Sequence, residues 1–339
     1  MRRVYLIRHA MPDIPLGERW CIGHTDIPLG TVGRMQAALL PFVPELTEMP
    51  VFCSYLSRAV ETARSLCPEP MIRSGLEEQD MGEWDGLSFT EIRACFPELY
   101  DARERNPNLW PDNAENMESV RQRMLAAVQS CLKETDGDIV IISHKSAIDS
   151  LTGQRPKLQH TSVSVLEWAG DRYQTVEVGR VPHPPLTEGV CMAVLHAAET
   201  PDSVIAHCQA VADEALRLAS SVPPQTPILD LELLLSSAIL HDIARLQPKH
   251  PETGAEWIRA LGYPEVADLI AQHHDFTGTE LNEAAVLYLA DKHIQGNKRV
   301  SLEERFSASG EKCTTEEARR AHNRRYEIAR NIENKIFRS

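Results

Sequence analysis

Arginine and histidine side chains follow short apolar runs at three places in the first half of the chain. They are Arg8 and His9 after residues 4–7, Arg58 after residues 51–53, and His144 after residues 139–142. A guanidinium group matches the oxygens of a phosphate with paired hydrogen bonds. Two guanidinium groups and two imidazoles, brought together, therefore suit the binding of a phosphoryl group.

Histidine and aspartate residues occupy the apolar faces of four predicted helices in the second half. In each helix they continue or adjoin an i, i+3, i+4, i+7 series of apolar positions. They are His207, His241 with Asp242, His273 with His274, and Asp291, and His250 stands before a proline at a predicted helix start. A single buried histidine is typical of an ordinary core, but a carboxylate on an inward face is costly unless it is paired or binds a metal. Four helices that offer such side chains to one interior predict a metal site.

The elements that position the first set alternate between strands and helices. Compact apolar runs fit buried strands of a largely parallel sheet, and the amphipathic segments between them fit helices. The predicted strands are residues 4–7, 51–53 and 139–142, the predicted helices are 33–40, 57–66 and 115–132, and residues 162–168 and 173–178 predict a hairpin at the sheet edge. This pattern indicates an α/β domain, in which ligands bind beyond the carboxyl ends of the strands.

The second half of the chain has a different pattern. Helical periodicity dominates beyond about residue 190, which predicts an all-α domain. The V-P-H-P-P-L segment at residues 181–186 cannot continue a helix or a central strand. A chain of 339 residues also exceeds a typical single core. We therefore expect an α/β domain over residues 1–180, a linker over 181–200 and an all-α domain over 201–339.

The charge and the apolar runs of the sequence argue against some classes of binding partner. The formal net charge of −14 argues against a nucleic acid polymer, because such binding relies on cationic neutralisation of phosphates. No apolar run reaches the length of a membrane span, and the apolar run at the start is too short for a signal peptide. The eight cysteines are scattered without a C-x-x-C pair, which indicates reduced thiols. We expect a cytoplasmic protein without a membrane partner, and the sequence leaves its oligomeric state open.

Four motifs of the first half resemble the small phosphatase branch of the histidine phosphatase (phosphoglycerate mutase-like) superfamily. The motifs are L-I-R-H-A at residues 6–10, G-H-T-D-I-P-L at 23–29 followed by Gly33 and Gln36-Ala37, S-R-A-V-E-T-A at 57–63, and L-E-E-Q-D-M-G-E-W-D-G at 76–86. The resemblance covers about residues 1–180. It implies a phosphoglycerate mutase-like fold and a phosphatase that needs no metal.

The resemblance also implies a role for each matching residue. His9 would be the nucleophile that forms a phosphohistidine. Arg8, Arg58 and His144 would bind the phosphoryl oxygens and stabilise their growing charge. Glu78 would protonate the leaving oxygen and then activate water.

Some positions near these motifs depart from the family pattern or lie outside its roles. Ala10 and Lys145 stand where the family has glycine, and Lys145 adds a cation near the site. Residues 11–15 lack the usual E-T-x-x-N, which puts one substrate contact in doubt. Glu77, beside the predicted acid, is expected to be solvated.

Four motifs of the second half resemble the HD phosphohydrolase superfamily, in particular a bacterial branch with extra histidines. The motifs are A-I-L-H-D-I-A-R at residues 238–245, H-P-E-T-G-A at 250–255, I-A-Q-H-H at 270–274 and Y-L-A-D-K at 288–292. The resemblance implies two sets of ligands that Asp242 can bridge: His207, His241, Asp242 and Asp291 for one metal, and His250 with His273 or His274 for a second. Such mixed nitrogen and oxygen donors favour iron, manganese, nickel or zinc, with one or two ions per chain.

The two resemblances together imply a bifunctional phosphohydrolase. The first domain would act on a small phosphorylated metabolite, by resemblance a phosphomonoester of the α-ribazole phosphate type. The second would use its metal to hydrolyse a phosphoester, for which a nucleotide is one candidate. The alternative is a catalytically silent HD domain that senses a nucleotide and regulates the phosphatase. The arginine-rich segment after Gly296 is expected to be a solvated helix face.

Overall fold

The computed structural model describes residues 1–106, 109–154, 157–311 and 313–337. The chain divides into two compact units, Met1–Pro184 and Pro185–Ser339. Among the helices described, none is long and apolar enough to cross a membrane. The eight cysteines are free, as their scattered spacing predicts.

The first unit is a sheet flanked by helices. Its strands are β1 (Arg2–Arg8), β2 (Trp20–Cys21), β3 (Val51–Cys53), β4 (Met71–Ile72), β5 (Leu87–Ser88), β6 (Ile139–Ser143), β7 (Val163–Ala169) and β8 (Arg172–Arg180). Its helices are α1 (Thr31–Leu39), α2 (Ser57–Arg64), α3 (Phe89–Cys95), α4 (Pro97–Arg105), α5 (Met117–Glu134) and α6 (Lys145–Thr152), with short 3₁₀ segments at Leu40–Phe42, Pro44–Leu46 and Gly82–Trp84. The predicted α/β class is confirmed.

The main sheet has the strand order β4-β3-β6-β1-β7-β8. The pairs β1–β6, β3–β6 and β3–β4 are parallel, whereas β7 pairs antiparallel with both β1 and β8. The hairpin predicted at the sheet edge is therefore β7–β8. Gly170 turns the chain between these strands with a φ of +66°, a conformation that glycine adopts without steric cost.

Alternation along β1 sends its side chains into two cores, one on each face of the sheet. Val4 and Leu6 pack in the core that includes residues of α5 and α6. Tyr5 and Ile7 pack in the core that includes residues of α2. Because both faces are covered, β1 is an uninterrupted apolar run rather than an alternating one.

The carboxyl ends of β1 and β6 are neighbours, which brings the predicted phosphate-binding residues to one edge of the sheet. Arg8 at the end of β1 is in register with Ser143 at the end of β6. The next residues along the two strands are His9 and His144. The adjacent strand β3 leads into α2, which carries Arg58.

The second unit is a helical domain with one very short hairpin. Its helices are α7 (Glu188–Ala197), α8 (Asp202–Ala219), α9 (Leu231–Leu240), α10 (His250–Ala260), α11 (Pro264–Ile270), α12 (Glu283–His293), α13 (Leu302–Gly310) and α14 (Glu316–Phe337). The hairpin consists of β9 (Ile294–Gln295) and β10 (Lys298–Arg299). The predicted helical class is confirmed, and the hairpin is the exception.

Helix α12 runs through the interior of the second unit, because every residue from 284 to 293 is buried. Helices α8, α9 and α14 pack against it. Helix α7 lies within residues 181–200, which the prolines at 182–185 led us to predict as a linker. Its buried side chains, among them Val190 and Val194, pack against α9, so this part of the segment belongs to the helical unit.

Helix α1 crosses the loop that follows His9 at very short range. A Cβ atom on Gly33 would lie 1.9 Å from the carbonyl oxygen of Met11. One turn further along α1, the side chain of Gln36 accepts a hydrogen bond of 2.9 Å from the Met11 N–H. The two contacts give a physical reason for glycine and glutamine three positions apart in this motif.

We expect Gly33→Ala to lower the free energy of unfolding by about 1–3 kcal/mol, because the helix and the loop must separate to admit a methyl group. Chemical denaturation followed by circular dichroism measures this change. Gly189→Ala is the control, since a Cβ atom there meets nothing within 4 Å. Alanine at that position is expected to be neutral or to stabilise by up to about 1 kcal/mol. Equal effects of the two substitutions would contradict the close approach.

Candidate functional sites

His9 lies just beyond β1, and the backbone fixes its ring. The residue is 5% exposed, and its N–H donates to the carbonyl oxygen of Ser143 at 2.9 Å. Its ring Nδ1 lies 2.7 Å from the carbonyl oxygen of Ala10. A carbonyl oxygen can only accept, so Nδ1 carries the proton of the neutral imidazole. The lone pair of Nε2 is then available as a nucleophile.

Arg8 and Arg58 are both anchored by backbone carbonyls. Arg58 is fully buried and donates to Thr25 O at 2.9 Å and Gly23 O at 2.7 Å. Arg8 donates to Leu158 O at 2.6 Å. Within the described ranges, the Nε atoms of both arginines are buried without a hydrogen-bond partner. Burial lowers the pKa of Arg8 to about 10, so this guanidinium stays charged at neutral pH and can bind an anion.

Two further imidazoles, His144 and His160, lie close to His9. The ring centroids are 4.9 Å from His9 for His144 and 5.6 Å for His160. Burial, followed by the charges of Arg58 and Arg8, lowers the pKa of His144 well below 6.5. Burial and Arg8 do the same for His160. Both rings are therefore neutral. His160 was not predictable from the sequence, because it belongs to none of the motifs and to no helix face.

The Glu78 carboxylate lies at the N-terminus of α6. It accepts hydrogen bonds from the backbone N–H groups of Ser146 and Ala147, each at 3.2 Å, and from that of Gln79 at 2.9 Å. Arg123 fixes the backbone beneath it by donating to the carbonyl oxygen of Glu78 at 2.8 Å. The side chain is thus held in one orientation by main-chain groups.

Two neighbours of this site differ from expectation. Glu77 is 9% exposed rather than solvated, because it accepts a hydrogen bond of 2.7 Å from the Gly75 N–H and lies 3.7 Å from a guanidinium nitrogen of Arg123. Lys145, expected as an additional cation, pairs with Asp149 at 2.6 Å. Glu77 therefore supports the loop that carries Glu78, and the charge of Lys145 is largely balanced by its partner.

The protonation state of His9 can be tested directly. Burial above all, then the neighbouring His144 ring and the charges of Arg58 and Arg8, lower the pKa of His9 well below 6.5. We expect ¹⁵N-histidine spectra, assigned with the help of His9→Ala, to show the Nδ1–H tautomer with little change between about pH 5.5 and 8. Exposed His196 on α7 supplies the spectrum of a solvent-accessible ring for comparison. A His9 titration centred near 6.5 would contradict the burial argument.

In the second unit, the predicted metal ligands meet around Asp242 and Asp291. His207 Nε2 lies 3.2 Å from Asp291 Oδ1, and His273 Nε2 lies 3.5 Å from Asp242 Oδ1. His241 Nε2 lies between the carboxylates, at 3.7 Å from Asp242 and 3.9 Å from Asp291. Potential ligand atoms in two overlapping groups, one of His207, His241 and Asp291 and the other of His241, Asp242 and His273, all lie within 4.8 Å of one another.

Three rings of this cluster are oriented by backbone carbonyl oxygens. Each places Nδ1 against a carbonyl oxygen, which makes Nδ1 the donor and turns Nε2 toward the carboxylates. His207 Nε2 lies within hydrogen-bond distance of Asp291 Oδ1, and although burial opposes it, this contact raises the pKa of His207. The pairs are His207 with Gly296 (2.7 Å), His241 with Ala238 (2.8 Å) and His273 with Ile270 (2.7 Å). This tautomer is the one that an imidazole needs to bind a metal through Nε2.

The two remaining predicted ligands differ in position. His250 Nε2 lies 3.2 Å from Asp242 Oδ1, the oxygen that His273 also approaches. His274 instead turns its Nδ1 toward Asp275 Oδ2 at 3.7 Å. Neither His250 nor His274 belongs to the two groups of potential ligand atoms found among the described residues. The structure brings His250 next to His273 at Asp242, whereas His274 lines the same pocket with its ring centroid 5.8 Å from that of His250.

The cluster also passes a chemical test of fit to a metal. His241 Nε2 and Asp242 Oδ1 are buried and have no hydrogen-bond partner within the part of the chain that the structure describes. Burial lowers the pKa of His241 to about 4. Burial opposes ionisation of Asp242, but His241, His250 and His273 outweigh it and hold its pKa well below its usual range. A neutral His241 beside an ionised Asp242 has the protonation states that a metal ion requires.

These observations define two classes of site: a histidine between arginines suited to phosphoryl transfer, and a histidine–aspartate cluster suited to a metal. Residues 4–180 match the model of the histidine phosphatase superfamily (branch 1), and the chain belongs to this superfamily. Residues 204–294 match the model of the HD domain, a metal-dependent class. Both resemblances drawn from the motifs are confirmed, and together they support a phosphohydrolase with two domains.

Several known proteins are similar to part of the chain. Phosphoglycerate mutase-like protein 4 of Arabidopsis thaliana is 30% identical over 53% of this chain and 86% of its own length. Glucosyl-3-phosphoglycerate phosphatase of Mycolicibacterium vanbaalenii is 27% identical over 45% of this chain and 73% of its own. Among solved structures, Bacillus stearothermophilus YhfR is 29% identical, with a TM-score of 0.49 over 53% of this chain and 98% of its own.

Proposed function

We propose that the protein hydrolyses phosphate esters at two separate sites. The first unit would act on a small phosphomonoester through a phosphohistidine, and the second would hydrolyse a phosphoester with bound divalent metal. The observation that carries the first assignment is the ring of His9, whose Nδ1–H is engaged by the Ala10 carbonyl so that Nε2 faces the substrate as a neutral nucleophile.

In the first step, the lone pair of His9 Nε2 attacks phosphorus. The bond from phosphorus to the ester oxygen breaks, and that oxygen takes a proton from the carboxyl group of Glu78. Arg8, Arg58 and His144 stabilise the charge on the transferring phosphoryl group. The Nδ1–H of His9 keeps its hydrogen bond to a carbonyl oxygen, which stabilises the positive charge of the phosphorylated ring.

In the second step, water attacks the phosphohistidine. The carboxylate of Glu78 takes the proton of the water, the phosphorus–nitrogen bond breaks, and its electron pair returns to His9 Nε2. Inorganic phosphate leaves. The three backbone N–H groups that bind Glu78 support its role as the base in this step, because they hold the carboxylate in place and favour its ionised form.

For the second unit, we propose that His207, His241, Asp242 and Asp291 hold one divalent ion and that His250 and His273 contribute to a second at Asp242. The mixed donors favour iron, manganese, nickel or zinc. Such ions, when bound, lower the pKa of a water for attack on a phosphoester. A nucleotide is the substrate class that we propose to test first.

The substrate of the first unit is proposed by class. The α-ribazole phosphate type suggested by the motifs and the glucosyl-3-phosphoglycerate named for one relative are both phosphomonoesters of small hydroxylated compounds. The two buried arginines bind the phosphate itself and leave the rest of the substrate to the surrounding loops. We therefore expect activity on several phosphomonoesters of this kind.

A panel of phosphomonoesters and nucleotides, assayed with and without a chelator, tests the two assignments together. Removal of metal should leave phosphomonoester hydrolysis within about twofold, because arginines supply the positive charge at the first site. It should abolish hydrolysis of the substrates of the second site. Nucleotide binding without hydrolysis, accompanied by a changed phosphatase rate, would favour a regulatory HD domain instead. Loss of all phosphomonoester activity on chelation would contradict the metal-free first site.

A further inference from the structure

Several of the predicted metal ligands line a pocket of about 340 Å³. Part of the pocket is lined by the predicted ligands and their neighbours on α8, on α12 and on the turns that follow α9 and α11. Another part, the distal wall, consists of residues of α13 and α14: Arg305, Phe306, Ser309, His322 and Arg325. These helices follow the segment 204–294 that matches the HD domain model, so that match assigns them no role.

The distal wall is attached firmly to the metal side of the pocket. Arg325 forms a two-pronged ion pair with Asp275, with distances of 2.6 and 2.8 Å. The hydroxyl of Tyr288 on α12 donates to the carbonyl oxygen of Arg325 at 3.0 Å. Because Tyr288 precedes Asp291 by one helical turn, α14 has a fixed position relative to the cluster. The prediction that the arginines after Gly296 lie on a solvated helix face is therefore wrong for Arg325, because α14 packs against α12 and Arg325 is partly buried.

The side chains that line the pocket carry more positive charge than is needed to balance the two aspartates of the metal cluster. Among the described residues that line it, the acidic ones are Asp242 and Asp291, which belong to the metal cluster. Lys292 is paired with Asp291 at 2.6 Å, and Arg325 with Asp275. Arg245 lies 3.6 Å from Asp242 Oδ2. Arg305 is half-buried, and its guanidinium has no partner among the residues described. A guanidinium held at a pocket wall without a counter-ion is suited to bind an anionic group.

We propose that the distal wall is a second anion-binding site, through which the HD domain selects ligands that carry two phosphate groups. One phosphate would lie at the metal cluster and the other would be bound by Arg305, with Arg325 beside it. The proposal rests on the proposed metal-dependent function of this domain and specifies the ligand for it. A ligand with a single phosphate would leave the distal wall unoccupied.

The test uses the full chain loaded with Mn²⁺ and two probes that resist hydrolysis, methylenediphosphonate and methylphosphonate. Calorimetric titration of wild type, Arg305→Gln and Arg320→Gln gives the affinities. Arg320 is the matched control, because it lies on α14, pairs with Glu316 and has a side chain that is 78% exposed. Binding that persists when Asp242→Ala and Arg305→Gln are combined is assigned to the first unit and subtracted. Metal content is measured for every sample after titration.

We expect Arg305→Gln to weaken methylenediphosphonate binding about ten- to a hundredfold, the loss typical of a hydrogen bond to a charged group. Methylphosphonate affinity and metal content should change less than about twofold, and Arg320→Gln should match wild type. Equal affinity of Arg305→Gln and wild type for the diphosphonate would overturn the anion-binding role of the distal wall and would leave the proposed metal site unaffected. Equal binding by wild type and Asp242→Ala, with neither holding metal, would overturn the metal site and the distal wall together.

Discussion

Replacement of His9 by alanine is expected to lower kcat for phosphomonoester hydrolysis by roughly 10⁴-fold or more. The substitution removes the attacking nitrogen but leaves Arg8 and Arg58, which bind the phosphate, so KM should change far less. Steady-state kinetics with a phosphomonoester measure both effects. An alkaline quench of wild type during turnover should also trap phosphate on His9, since the phosphorus–nitrogen bond is labile in acid.

The control for this substitution is His196→Ala. His196 is exposed on α7 in the second unit, so its loss should leave kcat unchanged. Circular dichroism of His9→Ala establishes that the variant is folded. A folded His9→Ala protein with wild-type phosphatase activity would disprove the assignment of His9 as the nucleophile.

Asp242→Ala is expected to reduce the metal content from one or two ions per chain to near zero. Its two carboxylate oxygens face different imidazoles, Oδ1 toward His250 and His273 and Oδ2 toward His241, so a single substitution affects both proposed ion positions. Elemental analysis of protein prepared without a chelator measures the loss. Phosphomonoester hydrolysis should persist, because His9 lies in the other unit.

The matched control for Asp242→Ala is Asp213→Ala, which removes an exposed carboxylate from α8 and should leave the metal content unchanged. A second outcome decides whether there is a site at all. Wild-type protein that is metal-free and takes up none of the added ions would show that the cluster is an ordinary polar core.

Periodicity and motifs predicted the class of each unit well, and for physical reasons. Apolar runs such as the one in β1 must be strands buried on both faces, and the edge hairpin follows from alternation around Gly170. The linker prediction over residues 181–200 shows where this approach weakens. Prolines mark a break in the chain, but they do not reveal that the apolar side of α7 is buried in the next unit.

The candidate sites were predictable where the residues lie on or just beyond regular elements. Asp291 lies on buried α12, and Asp242 lies in the turn that follows α9 rather than on the predicted helix, but its spacing from the apolar residues of α9 still predicted that it is buried. A buried carboxylate at such a position requires a partner. His160 and Arg325 could not be found in this way. The first follows an irregular segment. The second lies in a helix whose arginines look alike in sequence, and only its ion pair with Asp275 and its partial burial distinguish it. The sequence also does not show which of two adjacent histidines meets the cluster. His273 faces Asp242, whereas His274 faces Asp275.

The three backbone-anchored imidazoles of the second unit have a consequence for the thermodynamics of ion uptake. Free rings would each have to lose rotational freedom when an ion arrives. In His207, His241 and His273 that freedom is already lost on folding, because each Nδ1–H is tied to a carbonyl oxygen of the fold. An entering ion therefore meets a preorganised cage, and selectivity among ions depends on the spacing that the helices impose rather than on ligands that adjust to each radius.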